Sequence, residues 1–200
     1  MRWLRRNWAW LLALPLALGA AGFASCHRLI EIYWPSEPTA PVTVSGATAH
    51  YVSEFVNAGA TYARDIDVTF QGARHVETHG GLRAVEGATL WAFDFTLAAG
   101  PKVIADGCTV VALDERGRQY FPRAATTVDP SEPRDLSVPC LPPDAEGPTI
   151  DYFSGTVIDS RLERPPQWDT TLVVAIPDGI EPTAVRIWWD LPVYAEFPLP

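Results

Sequence analysis

The sequence is poor in the residues and motifs that usually carry covalent chemistry. Lys102 is the only lysine among 200 residues, so Schiff-base chemistry has one candidate with no evident tuning partner. The chain has no Gly-x-Ser-x-Gly elbow of a serine hydrolase and no glycine-rich phosphate loop before a helix. Its three cysteines include no Cys-x-x-Cys pair, which argues against a thiolate zinc site. We therefore expect a non-enzymatic protein that needs no cofactor.

Positive charge is also scarce in most of the chain. Four of the 15 basic and two of the 24 acidic side chains precede residue 41, which leaves 11 basic and 22 acidic groups and a net charge of −11. Phosphate backbones repel such a domain, so we expect no nucleic-acid partner. Sixteen of the 19 prolines also follow Ala40, and this spacing excludes long helices and favours short strands joined by turns.

The N-terminal segment carries no formal charge between Arg6 and Arg28. About twenty-one residues at ~1.5 Å rise make ~30 Å of helix, which matches the hydrocarbon thickness of a bilayer. The cluster of Arg2, Arg5 and Arg6 marks the cytoplasmic end. We therefore predict a cytoplasmic tail (1–6), a transmembrane anchor (7–27), a Pro-rich juxtamembrane spacer (28–41) and an extracytoplasmic domain (42–200). Tryptophan and tyrosine near both ends suit two interfacial belts, Trp3, Trp8 and Trp10 on one side and Tyr33 and Trp34 on the other.

Two alternatives to a retained anchor stay open at its C-terminal end. Phe23-Ala-Ser-Cys26 resembles a bacterial lipobox, in which Cys26 would be lipidated and become the new N-terminus. Gly22-Phe-Ala24 also fits a small-x-small signal-peptide cleavage site. All three interpretations place the following domain outside the cytoplasm.

The remaining two cysteines, Cys108 and Cys140, form a candidate disulfide of that domain. In an oxidising compartment they would close a loop of ~33 residues, worth ~3–4 kcal/mol in the chain-entropy model. The alternative is two unrelated buried thiols.

Short apolar stretches bounded by Gly, Pro and Asp predict an all-β domain of the sandwich type. The clearest is Thr89–Leu97, in which alternate aromatic and aliphatic side chains share one face. Asp114 to Tyr120 reads as a hairpin turn with Gly117 at a positive φ, and Pro177-Asp-Gly179 as a second turn. The other predicted strands are Ala49–Val56, Thr61–Phe70, Thr109–Leu113, Gly155–Ile158, Thr170–Ile176 and Val185–Trp189.

The order of these elements resembles a known kind of domain. Asp114-x-x-Gly-Arg-x-Tyr120 is followed by the apolar run Leu172-Val-Val-Ala-Ile-Pro177, a nearby glycine and a hydrophobic closing strand. This arrangement is similar to the immunoglobulin-like domains of unknown function on membrane-anchored proteins of high-GC Gram-positive bacteria. The resemblance implies an immunoglobulin-like β-sandwich behind one N-terminal transmembrane helix, and it implies no activity.

Two clusters are candidate functional residues. His75, Glu77 and His79 would share one face of a strand and could converge on a metal ion. In the adjacent pair Trp188 and Trp189, a strand would point one indole into the core and leave the other exposed or covered, to form a contact surface with Tyr194. Carboxylate pairs are also frequent, as expected for an acidic surface: Asp65/Asp67, Asp114/Glu115 and Asp144/Glu146.

We therefore predict a non-enzymatic interaction or accessory module, held at the membrane by its N-terminal helix. Its partner would be a component of the cell envelope or of a membrane-protein complex. The alternative is an extracytoplasmic hydrolase or metal-binding protein that uses the histidine cluster or a carboxylate pair.

Overall fold

A computed structural model describes residues 2–28, 36–129, 139–151, 154–160 and 162–200. The chain divides into two compact units, Met1–Pro38 and Thr39–Pro200. Tyr33 and Trp34, the predicted second interfacial belt, lie outside the described residues.

The N-terminal unit is one α-helix, α1 (Arg2–Arg28), with Pro15 in its interior. The stretch Arg6–Cys26 within it is 21 residues long and apolar enough to cross a membrane, by length and composition. Large apolar side chains along this stretch are exposed, among them Leu14, Leu16 and Phe23. The structure thus confirms a single N-terminal apolar helix.

The C-terminal unit is built from strands. Most of them have two to six residues, as the proline spacing predicts, but four have 10 to 17 residues, and three of these four lie in the proline-free stretch between Pro41 and Pro101. The strands are β1 (Ala40–Pro41), β2 (Val44–Ser45), β3 (Thr48–Asn57), β4 (Ala60–Val76), β5 (Leu82–Ala84), β6 (Ala88–Ala99), β7 (Thr109–Leu113), β8 (Gln119–Tyr120), β9 (Thr126–Val128), β10 (Thr149–Ile150), β11 (Val157–Ile158), β12 (Gln167–Pro177), β13 (Ala184–Trp188) and β14 (Val193–Pro198). Each predicted strand overlaps one of them, so the all-β fold class is confirmed.

Two five-stranded sheets carry the fold. The first sheet has the order β12-β6-β4-β3-β2, and the second has the order β1-β14-β13-β7-β8. Neighbouring strands are antiparallel except β1, which pairs parallel with β14. The predicted hairpin turn connects β7 to β8, with Gly117 at a φ of 71°.

The two sheets face each other across one apolar core. Phe70 and Phe95 of the first sheet meet Phe197 of the second, with ring centroids 5.7 Å and 6.0 Å from the Phe197 ring. Alternate residues along the strands fill the space between the sheets, as the pleat requires. Buried members of this core include Tyr51, Ile66, Val68, Phe93, Leu97, Val110, Ala112, Leu172, Val174, Ile176, Val185, Ile187 and Ala195.

A second, smaller apolar cluster lies on the opposite side of strands β6 and β12. Leu90, Ala92 and Val173 are buried there, and Leu82 and Ala84 of β5 pack against them. Strand β5 pairs with β9 in a separate two-stranded sheet. This part of the first sheet is therefore covered on both faces.

The predicted boundary between spacer and domain differs from the observed one. Ala40 and Pro41, assigned above to the spacer, form β1. The Ala40 amide donates to the carbonyl of Pro192 at 3.0 Å, and the Val42 amide donates to that of Tyr194 at 2.8 Å. An extended segment next to proline can thus join a sheet at its edge, where the proline needs no ladder partner.

Candidate functional site

The Trp188–Trp189 pair is buried, so of the two alternatives given above for the second indole, exposed or covered, the structure shows the covered one. Each side chain retains 8% exposure, and both belong to the main core. Strand β13 ends at Trp188, so the alternation of a strand does not extend to Trp189. The Trp189 indole instead donates to the carbonyl oxygen of Ala105 at 2.8 Å.

The backbone beside these indoles is held by one buried hydroxyl. Tyr51 is fully buried, and its hydroxyl accepts hydrogen bonds from the amides of Trp189 at 3.2 Å and Asp190 at 2.9 Å. The same hydroxyl donates to the carbonyl oxygen of Asp190 at 3.1 Å. These hydrogen bonds are a structural arrangement of the core.

Tyr194, the third member of the predicted contact surface, is half-buried on β14. The Arg186 guanidinium lies 4.7 Å from its ring centroid and donates to Glu196 at 2.5 Å. Cation–π packing of this kind is an ordinary way to cover an aromatic ring on a sheet surface. Tyr194 is thus a partly buried ring at the margin of the core that contains the two indoles.

The predicted metal cluster is not assembled in the structure. Strand β4 ends at Val76, so Glu77 and His79 do not continue the face on which His75 lies. The His75 ring packs edge-on against Trp91, with centroids 4.0 Å apart. Among the described residues, no group of three histidine, cysteine, aspartate or glutamate side chains is placed to hold a metal ion.

A β-bulge explains the position of His75. The register between β4 and β6 shifts between Phe70 and Gly72, so the alternation of β4 changes phase beyond that point. Without the bulge, His75 would point to the opposite face of the sheet. The sequence signal for this shift is the glycine inside an otherwise continuous strand pattern.

The Cys108–Cys140 disulfide is formed, as predicted from the cysteine count. Its Cα atoms are 6.0 Å apart and its cysteines are separated by 32 positions in the sequence. Both cysteines are buried. Cys26, the candidate lipidation site, is a free and exposed cysteine of α1.

The disulfide lines a cavity in the C-terminal unit, a site that sequence reasoning missed. The cavity has a volume of about 430 Å³, within the range of small-molecule sites. It lies where β7 of the second sheet approaches β12 of the first. Its lining comprises His79, Gly80, Leu82, Cys108, Thr109, Val110, Phe121, Pro122, Arg123, Pro139, Cys140, Leu141, Thr170, Thr171, Leu172 and Val173.

The lining of this cavity contrasts with the charge of the domain. Among the residues that the structure describes, the lining includes no aspartate or glutamate, although the domain carries twice as many acidic as basic groups. Its charged or ionisable side chains are Arg123, which is exposed, and His79, which is half-buried. Arg123 forms no ion pair with any residue that the structure describes. The cavity thus combines an apolar wall with a basic rim.

A buried ionic cluster lies elsewhere in the core, around Arg64 of β4. Arg64 is 5% exposed; it pairs with Asp190 and donates through Nε to the carbonyl oxygen of Ile104 at 2.9 Å. Its Nη2 lies 3.8 Å from Oδ1 of Asp106. Ser53 adds a hydrogen bond of 2.9 Å to Asp190. These contacts tie β3 and β4 to the connection between β6 and β7 and to the turn before β14.

Arg164 is a second buried guanidinium, 1% exposed and stacked 4.6 Å from the Trp168 ring centroid. Its Nη2 donates to the carbonyl oxygens of Gly100 at 2.9 Å and Val103 at 2.7 Å. Desolvation lowers the pKa of Arg164, and the charge of Asp106 partly opposes this shift. Because it bonds to carbonyl oxygens, the guanidinium serves to pin the loop between β6 and β7.

The carboxylate pairs occupy three different environments. Asp65 and Asp67 are exposed and lie beside His50. The Nδ1 atom of His50 lies 2.8 Å from Oδ1 of Asp67. This hydrogen bond raises the pKa of His50, although desolvation opposes the shift. Asp114 is a buried acceptor of the hairpin turn. Asp144 and Glu146 line a second cavity of about 310 Å³. The acid-pair alternative stays a prediction.

Comparisons with protein-family models, with curated proteins and with solved structures found no match to this chain.

Proposed function

We propose that this protein is a membrane-tethered binding module, with its β-sandwich on the non-cytoplasmic side and no catalytic activity. The observation that carries the proposal is the apolar stretch Arg6–Cys26, placed ahead of a disulfide-bonded domain. The partner is a component of the envelope or of a membrane complex. The cavity beside the disulfide holds the small group of that component that the module recognises.

The helix supports both the tether and the orientation. Its apolar stretch matches the ~30 Å hydrocarbon core of a bilayer at ~1.5 Å rise per residue. Arg2, Arg5 and Arg6 lie at one end, and positive charges favour the cytoplasmic side. Trp8 and Trp10, both exposed, lie close to those arginines, where indoles favour the membrane interface.

The disulfide supports the compartment. Disulfides form and persist in secreted and periplasmic proteins, whereas the cytosol keeps most thiols reduced. Cys108 and Cys140 are linked although they lie on separate segments of the fold. A domain exposed outside the membrane is consistent with this bond.

The strand order supports the immunoglobulin-like interpretation of the sandwich. In immunoglobulin domains, strands A, B, E and D lie in one sheet and strands C, F and G in the other, and among the described residues no strand lies beyond β12 in the position of D. Strands β4, β6 and β12 occupy the first set of positions, and β7, β13 and β14 occupy the second. The hairpin partner β3 is an addition to that pattern. Such sandwiches commonly act as binding modules on cell surfaces.

A topology experiment tests the proposal. A C-terminal alkaline phosphatase fusion, active only outside the cytoplasm, is expected to be active in cells. The same fusion to a fluorescent protein that matures only in the cytoplasm is expected to stay dark. Replacing Arg2, Arg5 and Arg6 together with Gln is the matched control, because it removes only the charge bias and should mix the two orientations. Fluorescence from the unmodified chain would overturn the orientation.

The binding role has its own test. A C-terminal tag on the full chain allows recovery from membranes in mild detergent, and a specific partner should be retained. The Thr170→Phe variant fills the cavity from β12 and should reduce recovery, whereas Thr61→Phe adds the same ring at an exposed position outside the lining. Equal recovery with both variants would contradict a role for the cavity.

A further inference from the structure

The cavity beside the disulfide has walls of two kinds. Its apolar side is formed by Leu82, Val110, Leu141 and Leu172 together with the disulfide itself. Removing apolar ligand surface from water against such a wall is favourable at about 25 cal/mol per Å². The wall therefore favours an apolar ligand body.

The polar side of the cavity favours negative charge. Arg123 supplies a guanidinium, which can bind a carboxylate through two parallel hydrogen bonds. His79 and the hydroxyls of Thr109 and Thr170 are further potential donors. Since the described part of the lining contributes Arg123 and no carboxylate, it attracts an anion although the domain as a whole repels one.

We propose that this cavity binds a small amphipathic anion, an apolar ring or short chain that carries one carboxylate. The apolar body lies against Leu82, Val110 and Leu172, and the carboxylate lies at the rim beside Arg123. A cavity of about 430 Å³ accommodates a ligand of this size but not a folded domain. The inference deepens the proposed binding function, because it names the ligand class of the same site.

A binding experiment on the purified full chain, held in nanodiscs of a zwitterionic lipid, tests this ligand class. The probe is 4-(trifluoromethyl)benzoate, and its binding is followed by fluorine NMR relaxation with empty nanodiscs as the blank. Two probes of the same shape, 4-(trifluoromethyl)benzamide and 4-(trifluoromethyl)benzylamine, replace the anion with a neutral group and a cation. The benzoate is expected to bind most tightly and the benzylammonium most weakly.

Variants locate the binding in the cavity. Arg123→Gln is expected to weaken benzoate binding about two- to fivefold, the usual range for one partly exposed ion pair. Arg116→Gln removes the same charge at an exposed hairpin position and should leave binding unchanged. Thr170→Phe is expected to weaken binding at least about tenfold, because the ring occupies the space of the ligand body, while Thr61→Phe should have no effect.

Each other outcome would overturn the inference. Equal binding of the benzoate and the benzamide would remove the charge selectivity. Binding that survives Thr170→Phe would place the probe elsewhere. No binding of any probe would mean that the cavity is closed to ligands or filled by the chain itself. Because the purified chain is used, these results do not depend on its orientation in cells, which the reporter fusions measure separately.

Discussion

At the scale of single residues, the largest difference between expectation and structure concerns aromatic side chains. The adjacency of Trp188 and Trp189 predicts one exposed indole only if the strand continues through both. The strand ends at the first of them, and Tyr51 from the facing sheet holds the turn that follows. That contact joins residues separated by 139 positions, so no local sequence pattern predicts it.

The Tyr51 hydroxyl is expected to contribute more to the free energy of unfolding than an ordinary hydrogen bond does. Tyr51→Phe would leave the amides of Trp189 and Asp190 without this acceptor inside the core. An unsatisfied buried donor costs about 1–3 kcal/mol, so we expect the free energy of unfolding to fall by about that amount. Chemical denaturation measures it, and Tyr62→Phe, in which a ring stacked on Phe55 loses the same hydroxyl, is the control. Equal small effects of both changes would contradict this role of Tyr51.

Asp114 makes stability depend on pH through the β7–β8 turn. Desolvation raises the pKa of Asp114, but hydrogen bonds from Arg118, the Arg116 amide and Tyr120 outweigh it and lower the pKa to about 2. Because the folded-state pKa lies below the ordinary value near ~3.9, the stabilising contribution is present above pH ~4 and is lost as the pH falls towards about 2.

Asp114→Asn tests this pH dependence, because an amide nitrogen cannot accept a hydrogen bond. The variant is expected to unfold at lower denaturant concentration than the parent at neutral pH, and the difference should shrink between pH ~4 and about 2. Unfolding midpoints measured across that pH range provide the check. Glu115→Gln removes a neighbouring exposed carboxylate and should show no such convergence. A pH-independent difference would contradict the ionic role of Asp114.

At the scale of secondary structure, the long strands could be predicted because their side chains alternate. The predicted bounds of β7, Thr109–Leu113, are those observed. Strands of two or three residues are too short to show a period, so β1, β2, β5 and β8–β10 were not predicted. β11 also has two residues, but it lies within the longer predicted stretch Gly155–Ile158. The alternation of β14 (Val193–Pro198) is present, with Ala195 and Phe197 buried, but prolines at both of its ends obscured it.

The cavity could not be predicted from the sequence for a related reason. Its lining comes from five separate segments, near His79, Cys108, Phe121, Cys140 and Thr170. These segments meet only because the two sheets pack face to face, and strand periodicity does not determine which strand pairs with which. Of the contacts around the cavity, only the Cys108–Cys140 bond could be predicted from the sequence, because two cysteines in one domain leave a single possible disulfide within it.

The disulfide links the start of β7 to the segment that precedes β10, and its loss should destabilise the domain. For cysteines 32 positions apart, the chain-entropy model gives about 3–4 kcal/mol. Cys140→Ser is therefore expected to lower the free energy of unfolding by about that amount, and Cys26→Ser should leave it unchanged. Denaturation of the parent with and without reductant is the parallel measurement. Peptide mapping without reduction that found both thiols free would contradict the bond.

At the scale of the whole molecule, the two compact units differ in their relation to water. The sandwich buries its apolar residues in a core and carries a net charge of −11 over residues 41–200. The helix exposes Leu14, Leu16, Leu18 and Phe23, and a run of this length is costly to leave in water. A lipid environment for the helix relieves this cost, which is the physical basis of the proposed tether.

We expect the anchor to be retained in the mature protein. Phe23 stands where a lipobox usually has Leu, and Leu29, Ile30 and Ile32 extend the apolar character beyond Cys26, where lipoproteins usually have a polar tether. Intact-mass measurement of protein extracted from membranes should therefore give the full 21.9 kDa chain, with Cys26→Ser differing only by the substituted atom. A shorter chain beginning at Cys26 and carrying lipid, or one released to the soluble fraction after cleavage at Ala24, would contradict retention.

Membrane insertion of the helix has a test of its own. Leu16→Arg places a charge at the centre of the span, where insertion becomes about 2.5–3.5 kcal/mol less favourable. Leu16→Arg should reduce the membrane-bound fraction, whereas Leu16→Ala, which keeps the position apolar, should not.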